Sequence, residues 1–241
     1  MTTRLDGAVV LVTGANGGLG TEFVRQALER GATRVYATAR TPRTWDDERV
    51  VPLPLDVTSP EAVASAAAAA PDVTVVVNNA GASNGAGVLG GSAALREMFE
   101  VNFFGPLAVA EAFAPVLARN GGGSLLNVLS VLSWLGTGDG YSASKAALWS
   151  ATNTQRLALA ADGTTVTALH LGYTDTPMTA GLEVAKNDPA DVVRQAYDAV
   201  EAGDHEVLAD EVSRHVKAGL AGPVTTLYPQ LASSTHRRTT P

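Results

Sequence analysis

The 241-residue sequence contains no cysteine, which excludes disulfides, thiolate metal sites and a cysteine nucleophile. Charge is scarce as well. Asp, Glu, Lys and Arg make up 17% of the chain, against roughly a quarter in an average domain. What charge there is leans acidic, with 17 Lys and Arg against 24 Asp and Glu, a formal net charge of −7. A chain so balanced lacks the cationic excess that neutralises a phosphate backbone, so nucleic-acid partners are not expected. No run approaches the roughly 18 uninterrupted apolar residues of a membrane span. The apolar stretch after the polar residues 1–7 is too short for a signal-peptide core. The four histidines, His170, His205, His215 and His236, show no metal-ligand spacing, and no metal is expected. These absences lead to the expectation of a soluble cytoplasmic protein.

What is present is 46% hydrophobic residues and 24 glycines. Short β-branched runs at residues 8–12, 34–38, 50–55, 73–78, 124–129 and 164–170 read as strands. Their apolar residues are continuous rather than alternating, as in strands buried on both faces. Helical patterns fall near 18–30, 60–70, 93–119 and 141–161. Gly31 suits the position just past the first helix, and Ser59-Pro60 reads as cap and first residue of the second. Repeated strand–helix units predict a parallel sheet with helices on both faces. No linker divides residues 1–232, which are read as a single domain followed by a polar tail, 233–241.

The first strand ends in Thr13-Gly14-Ala15-Asn16-Gly17-Gly18-Leu19-Gly20 and runs into a helix. Glycines at 14, 18 and 20 let the backbone turn tightly and approach a pyrophosphate, which the helix's first amides would hold. The spacing differs from Gly-x-Gly-x-x-Gly and lacks a P-loop ending, so an ordinary glycine-rich turn is the alternative. Further along stand Asn78-Asn79-Ala80-Gly81, Asn102, Ser130, Tyr141-Ser142-Ala143-Ser144-Lys145 and Gly172-Tyr173-Thr174-Asp175-Thr176. Tyr141 and Lys145 are four residues apart and share one helix face. An ammonium near a phenol favours the phenolate, so Lys145 is expected to lower the pKa of Tyr141 and let it exchange a proton with an alcohol or carbonyl. Ser130 would hydrogen-bond the same oxygen, with Ser133 as its rival. About 20 residues past the glycine turn, a carboxylate would bind a ribose 2′-hydroxyl. Arg40 stands there instead, favouring the 2′-phosphate of NADP(H) over NAD(H), with Arg43 as a possible assistant.

In this order and spacing the motifs resemble those of the short-chain dehydrogenases/reductases in their compact form, from Thr13 to about Met178. The resemblance implies a three-layer α/β/α Rossmann fold with a doubly wound, mostly parallel seven-stranded sheet. It implies catalytic roles for Asn102, Ser130, Tyr141 and Lys145, with Asn102 helping to hold a proton-relaying water. Cofactor contacts are implied at Gly14, Asn16, Gly18, Leu19, Gly20, Arg40, Asp56, Val57, Asn79, Ala80, Gly81, Tyr141, Lys145, Thr174 and Thr176. The sequence departs from the family at Leu129, where a second serine is usual, and at Leu171, where proline is usual. The activity implied is NADPH-dependent reduction of a ketone or aldehyde to an alcohol, reversibly. A non-catalytic NADP(H)-sensing module and an epimerase or dehydratase are the alternatives. The partners implied are a small carbonyl or alcohol substrate and copies of the same chain, as a homotetramer or homodimer packed through helices 93–119 and 141–161. The loop 179–189 and the helix after it are expected to lid the pocket. Trp134 and Tyr173 are candidates for its apolar wall, with plain loop packing as the equal alternative.

Overall fold

Residues 3–232 are described by the structure, a computed structural model. Its strands are β1 (Val9–Thr13), β2 (Arg34–Ala39), β3 (Val50–Pro54), β4 (Val75–Asn78), β5 (Gly123–Val128), β6 (Thr164–His170) and β7 (Glu206–Leu208). They form one sheet in the order β3-β2-β1-β4-β5-β6-β7. Every pairing is parallel, not merely most. The sixth strand matches its expected bounds and the other five shift by one or two residues. β7, only three residues long, carries too short a pattern to be read. Strand order reverses beside β1, whose neighbours are β2 and β4, and this opens a crevice at the carboxyl ends of the strands.

Helices α1 (Leu19–Glu29) and α6 (Pro189–Ala202) lie on one face. Val10, Val12, Val35, Val75, Val77, Leu126 and Val128 point into that layer. Leu11, Tyr36, Val76, Leu125 and Val166 point the other way, towards α2 (Pro60–Ala69) and α4 (Gly105–Arg119). Both faces of each strand are therefore apolar, which is why the runs are continuous. Ser59 does cap α2, accepting from the Ala62 amide at 3.1 Å, with Pro60 as the first helical residue. The helix following the loop after β6 does not act as a lid. In α6, Val192, Val193, Ala196, Tyr197 and Val200 are buried, and Tyr197 meets Phe23 of α1 edge-on at 5.4 Å. Its apolar stripe commits it to the covering layer.

The helix expected over 93–119 is divided into α3 (Ser92–Phe99), a π-helical turn (Glu100–Phe104) and α4. The whole run Ser92–Arg119 is long and apolar enough to cross a membrane by length and composition. Val109, Phe113, Val116 and Leu117 nevertheless pack into the core. α5 (Asp139–Leu159) lies on the same layer, and α7 (Glu211–Gly219) and α8 (Val224–Leu227) close the carboxyl end of the sheet near β7. The expected polar tail, 233–241, lies outside the described residues.

Candidate active site

The glycine turn and the end of β4 are fastened together by Thr13. Its hydroxyl oxygen accepts from the amides of Asn79 at 3.0 Å and Ala80 at 2.9 Å. Asn79 returns the bond, its Nδ2 donating to the carbonyls of Thr13 at 2.8 Å and Gly14 at 3.2 Å. Thr13 opens the motif but is missing from the sequence-derived site, because a hydroxyl at a strand end carries no signal of its partners. Gly14 and Gly18 have φ of 68° and 54°, where side chains are strained. A Cβ at Gly20 would lie 2.1 Å from the Gly14 carbonyl oxygen, so glycine is required for α1 to start this close to β1. Leu19, the first residue of α1, follows Gly18, whose missing side chain faces Thr176.

Around β2, Asn16 ties the turn to the next loop: its Nδ2 donates to the Thr41 carbonyl at 2.8 Å, and its Oδ1 accepts from the Arg43 amide at 3.3 Å. The Arg43 guanidinium stacks over Trp45 at 3.9 Å. Arg25, Arg30, Arg34 and Arg49 each pair with a carboxylate. Arg40 is exposed and takes part in no ion pair among the described residues. Its field adds to the bonds from the Thr58 amide and hydroxyl that hold the Asp56 carboxyl below its usual value. Val57 is buried against Gly105. A dinucleotide fits this arrangement: glycines clear the turn, the first amides of α1 face it, and Arg40 stands exposed just past the end of β2. Gly81 extends the cleared space, since a Cβ there would sit 3.4 Å from Asn102 Oδ1 and 3.8 Å from Lys145 Nζ.

Ser130 follows the end of β5, and Tyr141 and Lys145 lie in the first turns of α5. The Ser130 hydroxyl accepts from the Leu132 amide at 3.1 Å and donates to the Leu171 carbonyl at 3.4 Å, and it faces the Tyr141 phenol closely enough to favour the phenolate. Ser133 is buried with its hydroxyl unpartnered among the described residues. Burial pushes the Tyr141 phenol up to about 12, against the lowering effect of Ser130, and pulls Lys145 down to about 8. The expected lowering of the tyrosine by Lys145 is thus reversed. The ammonium donates to the Val128 carbonyl at 2.8 Å and sits 5.7 Å from the phenol ring centre, so desolvation outweighs it. Asn102 is fully buried on the π-helical turn, a distortion frequent at functional sites. It exchanges bonds of 2.8 Å with the backbone of Ala82 and donates to Ser144 at 3.1 Å, joining the loop after β4 to α5.

Behind Ser130, the loop after β6 is closed at its neck. The Asn187 amide donates to the Tyr173 carbonyl at 2.8 Å and the Asp175 amide donates to the Asn187 carbonyl at 3.0 Å, with Thr174 bridging Asn187. Asp210, the cap of α7, accepts from the Gly172 amide at 2.5 Å, Asn187 Nδ2 at 2.6 Å and the Ser213 amide at 2.7 Å. Burial raises its carboxyl, yet those three donors outweigh burial and hold it below the usual carboxylate value. Trp134 is not a pocket wall. It is buried, stacked on His170 with ring centres 3.9 Å apart and edge-on to Trp149 at 6.0 Å. Tyr173 is half-exposed. His170 is wholly buried, with Nδ1 3.2 Å from the Ser130 carbonyl, and burial pulls it down to about 4. Among the described residues no group of three or more His, Cys, Asp or Glu could hold a metal ion.

Known proteins share this arrangement of elements. Residues 8–187 match the family described as short chain dehydrogenase. A short-chain dehydrogenase of Penicillium crustosum is 36% identical over 185 residues, 69% of this chain and 66% of that protein. The chain therefore spans just under two thirds of that relative's length. The cis-4-hydroxycyclohexanecarboxylate dehydrogenase of Sinomonas cyclohexanicum is 33% identical over 76% of this chain and 78% of its own. A crystal structure of a short chain dehydrogenase from Burkholderia cenocepacia in complex with NADP superposes with a TM-score of 0.89 at 36% identity, covering 95% of this chain and 99% of that one. By its β-α order, its glycine turn and these matches, the chain belongs to the short-chain dehydrogenase family of oxidoreductases.

Proposed function

We propose that residues 1–232 act as one catalytic domain that interconverts a ketone or aldehyde and its alcohol with NADP(H). The observation that carries this reading is the convergence of Ser130, at the end of β5, with the Tyr141 phenol whose charged form it favours, and with Lys145 one turn further along α5. A bound nicotinamide dinucleotide would supply the hydride. Gly14, Gly18, Leu19 and Gly20 would take its pyrophosphate side, Asn16 would hold the loop of Arg40 beside the adenosine ribose, Asp56 and Val57 would take the adenine, and Asn79, Ala80 and Gly81 the space beside Lys145. Thr174 and Thr176 would meet the nicotinamide end. The cofactor named in the Burkholderia cenocepacia structure and the unpaired Arg40 both favour the phosphorylated form. In reduction Ser130 donates a hydrogen bond to the substrate oxygen, and Tyr141, protonated at neutral pH because its pKa is high, gives that oxygen its proton. Asn102 fixes the loop and helix between which the proton is replaced, and Lys145 holds the ribose and steadies the phenolate left behind.

The rim is apolar. Val88, Leu89, Tyr173, Met178, Leu182 and Val184 are exposed on the loops after β4 and β6, and Lys186 is paired with Asp175 at 3.7 Å. A neutral carbonyl compound suits that rim better than an anion. Phe104 and Leu157 are also exposed, on the helices through which a homodimer or homotetramer would pack. The test is NADPH oxidation followed at 340 nm with a panel of ketones and aldehydes. Tyr141→Phe is expected to lower turnover by about two to four orders of magnitude with NADPH affinity retained. Retained turnover would remove Tyr141 from the role, and Arg40→Asp leaving the NADPH/NADH preference unchanged would remove Arg40 from the phosphate site.

A further inference from the structure

We infer that Asp210 is a positioning residue that sets the Ser130 hydroxyl and the neck of the β6–α6 loop from a helix outside the catalytic set. The inference rests on the oxidoreductase reading above only for its activity readout.

Asp210 Oδ2 receives the Gly172 amide at 2.5 Å, and that N–H belongs to the same peptide unit as the Leu171 carbonyl. The Leu171 carbonyl oxygen in turn accepts from the Val131 amide at 2.8 Å and is the oxygen that Ser130 Oγ reaches at 3.4 Å. One rigid, planar peptide therefore joins the carboxylate on one side to Ser130 and its neighbour on the other. A peptide whose N–H is held by an anion cannot rotate without losing a charge-assisted hydrogen bond. Space points the same way: a Cβ at Gly172 would lie 3.2 Å from Asp210 Oδ2, so the side chain missing at 172 leaves the carboxylate its place. Oδ2 also accepts Asn187 Nδ2 at 2.6 Å, beside the Thr174–Asn187 bridge, so the same oxygen holds the base of the loop that carries Thr174 and Thr176. Oδ1 is occupied in capping α7 through the Ser213 amide at 2.7 Å. The long 3.4 Å contact from Ser130 is one the hydroxyl can exchange for a substrate oxygen, while the 3.1 Å bond it accepts from the Leu132 amide persists.

Asp210→Ser tests this, because serine still caps a helix but a single hydroxyl cannot serve all three donors. It is expected to lower kcat ten- to a hundredfold while NADPH affinity changes less than threefold. Asn187→Ala, which frees only the loop neck, is expected to raise KM and leave kcat within about threefold. In a double-mutant cycle, adding Asp210→Ser to Ser130→Ala is expected to cost no further kcat, whereas an independent structural defect would add in full. The amide proton of Gly172, followed by NMR hydrogen exchange, is expected to lose its protection in Asp210→Ser. Unchanged kcat with unchanged Gly172 protection, or full additivity in the cycle, overturns the inference. Should Asp210→Ser fail to fold, Asp210→Asn, of the same shape but uncharged, is expected to show the same pattern at smaller amplitude, and wild-type kinetics in it overturns the inference equally. Absence of any carbonyl turnover by the wild-type protein would instead overturn the oxidoreductase reading, and Gly172 protection would still decide the role of Asp210.

Discussion

The two halves of the crevice are built by different means. On the β1–β2–β4 side the surface is mostly backbone, cleared by Gly14, Gly18 and Gly20 and fixed by hydrogen bonds among Thr13, Asn79 and main-chain groups. On the β5–β6 side the working atoms are side chains, buried and titratable, held by residues remote in sequence: Asn102 on Ser144, Asp210 on Gly172, His170 on the Ser130 carbonyl. A backbone surface is rigid and tolerant of pH. Buried ionisable groups cost stability and are tuned by their surroundings. Substitutions in the first half should therefore act on binding, and those in the second on rate and pH response.

Lys145→Met probes the second half hardest. Turnover should fall about a hundredfold or more, since the residue beside the proton donor is lost. Stability at pH 7 should rise. Burial holds the native pKa near 8 against 10.5 unfolded, so the charged lysine penalises the fold below pH 8. The penalty fades as pH climbs from 8 towards 10.5, where the unfolded chain binds the extra proton. Set against the bond lost at the Val128 carbonyl, the gain should be about 1–2 kcal/mol in urea unfolding at pH 7, vanishing near pH 10.5. A variant less stable than wild type at pH 7 would show that the lysine is not desolvated in solution.

Gly20→Ala probes the first half. Its Cβ would stand 2.1 Å from the Gly14 carbonyl oxygen, so the turn must open. NADPH affinity, measured by fluorescence titration, should drop about a hundredfold while the pH response of stability due to Lys145 stays as in wild type. If both change together, the halves are not separable.

The contrast also explains what could be read from residues alone. Strand positions, the layer arrangement and the glycine turn are local: continuous valine runs and a glycine at each tight place are written in adjacent residues. Ser130, Tyr141 and Lys145 are legible because 11 and four residues separate them at the end of one strand and the start of one helix. Asp210 is not, because its three donors lie at 172, 187 and 213 and only folding brings them to one carboxylate. Nor is the π-helical turn at Asn102, since a 93–119 helical pattern looks the same with or without one inserted residue. The upward shift of Tyr141 is illegible for a related reason: a spacing of four places the lysine on the right face, but says nothing of the burial that raises the phenol or of the Val128 carbonyl that takes the ammonium.

A smaller effect should appear in acid. His170 is neutral in the fold, with its pKa near 4 against 6.5 unfolded, because burial under Trp134 disfavours the imidazolium. Between those values the unfolded chain binds more protons, so stability is lost as pH falls from 6.5 to 4, by about 3 kcal/mol at most. In His170→Gln the urea midpoint should fall less over that window than it does in wild type. Equal slopes would place the acid response elsewhere, with Asp210 the next group to examine.

The smallest expected effect separates the two functions within the first half. Asn16 is exposed and makes two bonds, to the Thr41 carbonyl and from the Arg43 amide, each worth about 1 kcal/mol at most. Neither touches the glycines directly. Both hold the loop that begins with Arg40. Asn16→Ala should therefore weaken NADPH binding about fivefold, by loosening the cation's loop, and leave NADH binding unchanged, because NADH lacks the phosphate that Arg40 would meet. Parallel titrations with the two dinucleotides distinguish this from a contact with the shared pyrophosphate, which would weaken both equally. A selective loss ties the cofactor preference to how Arg40 is held as well as to its charge, and makes the β2 loop a part of the backbone-built half whose selectivity depends on a side chain.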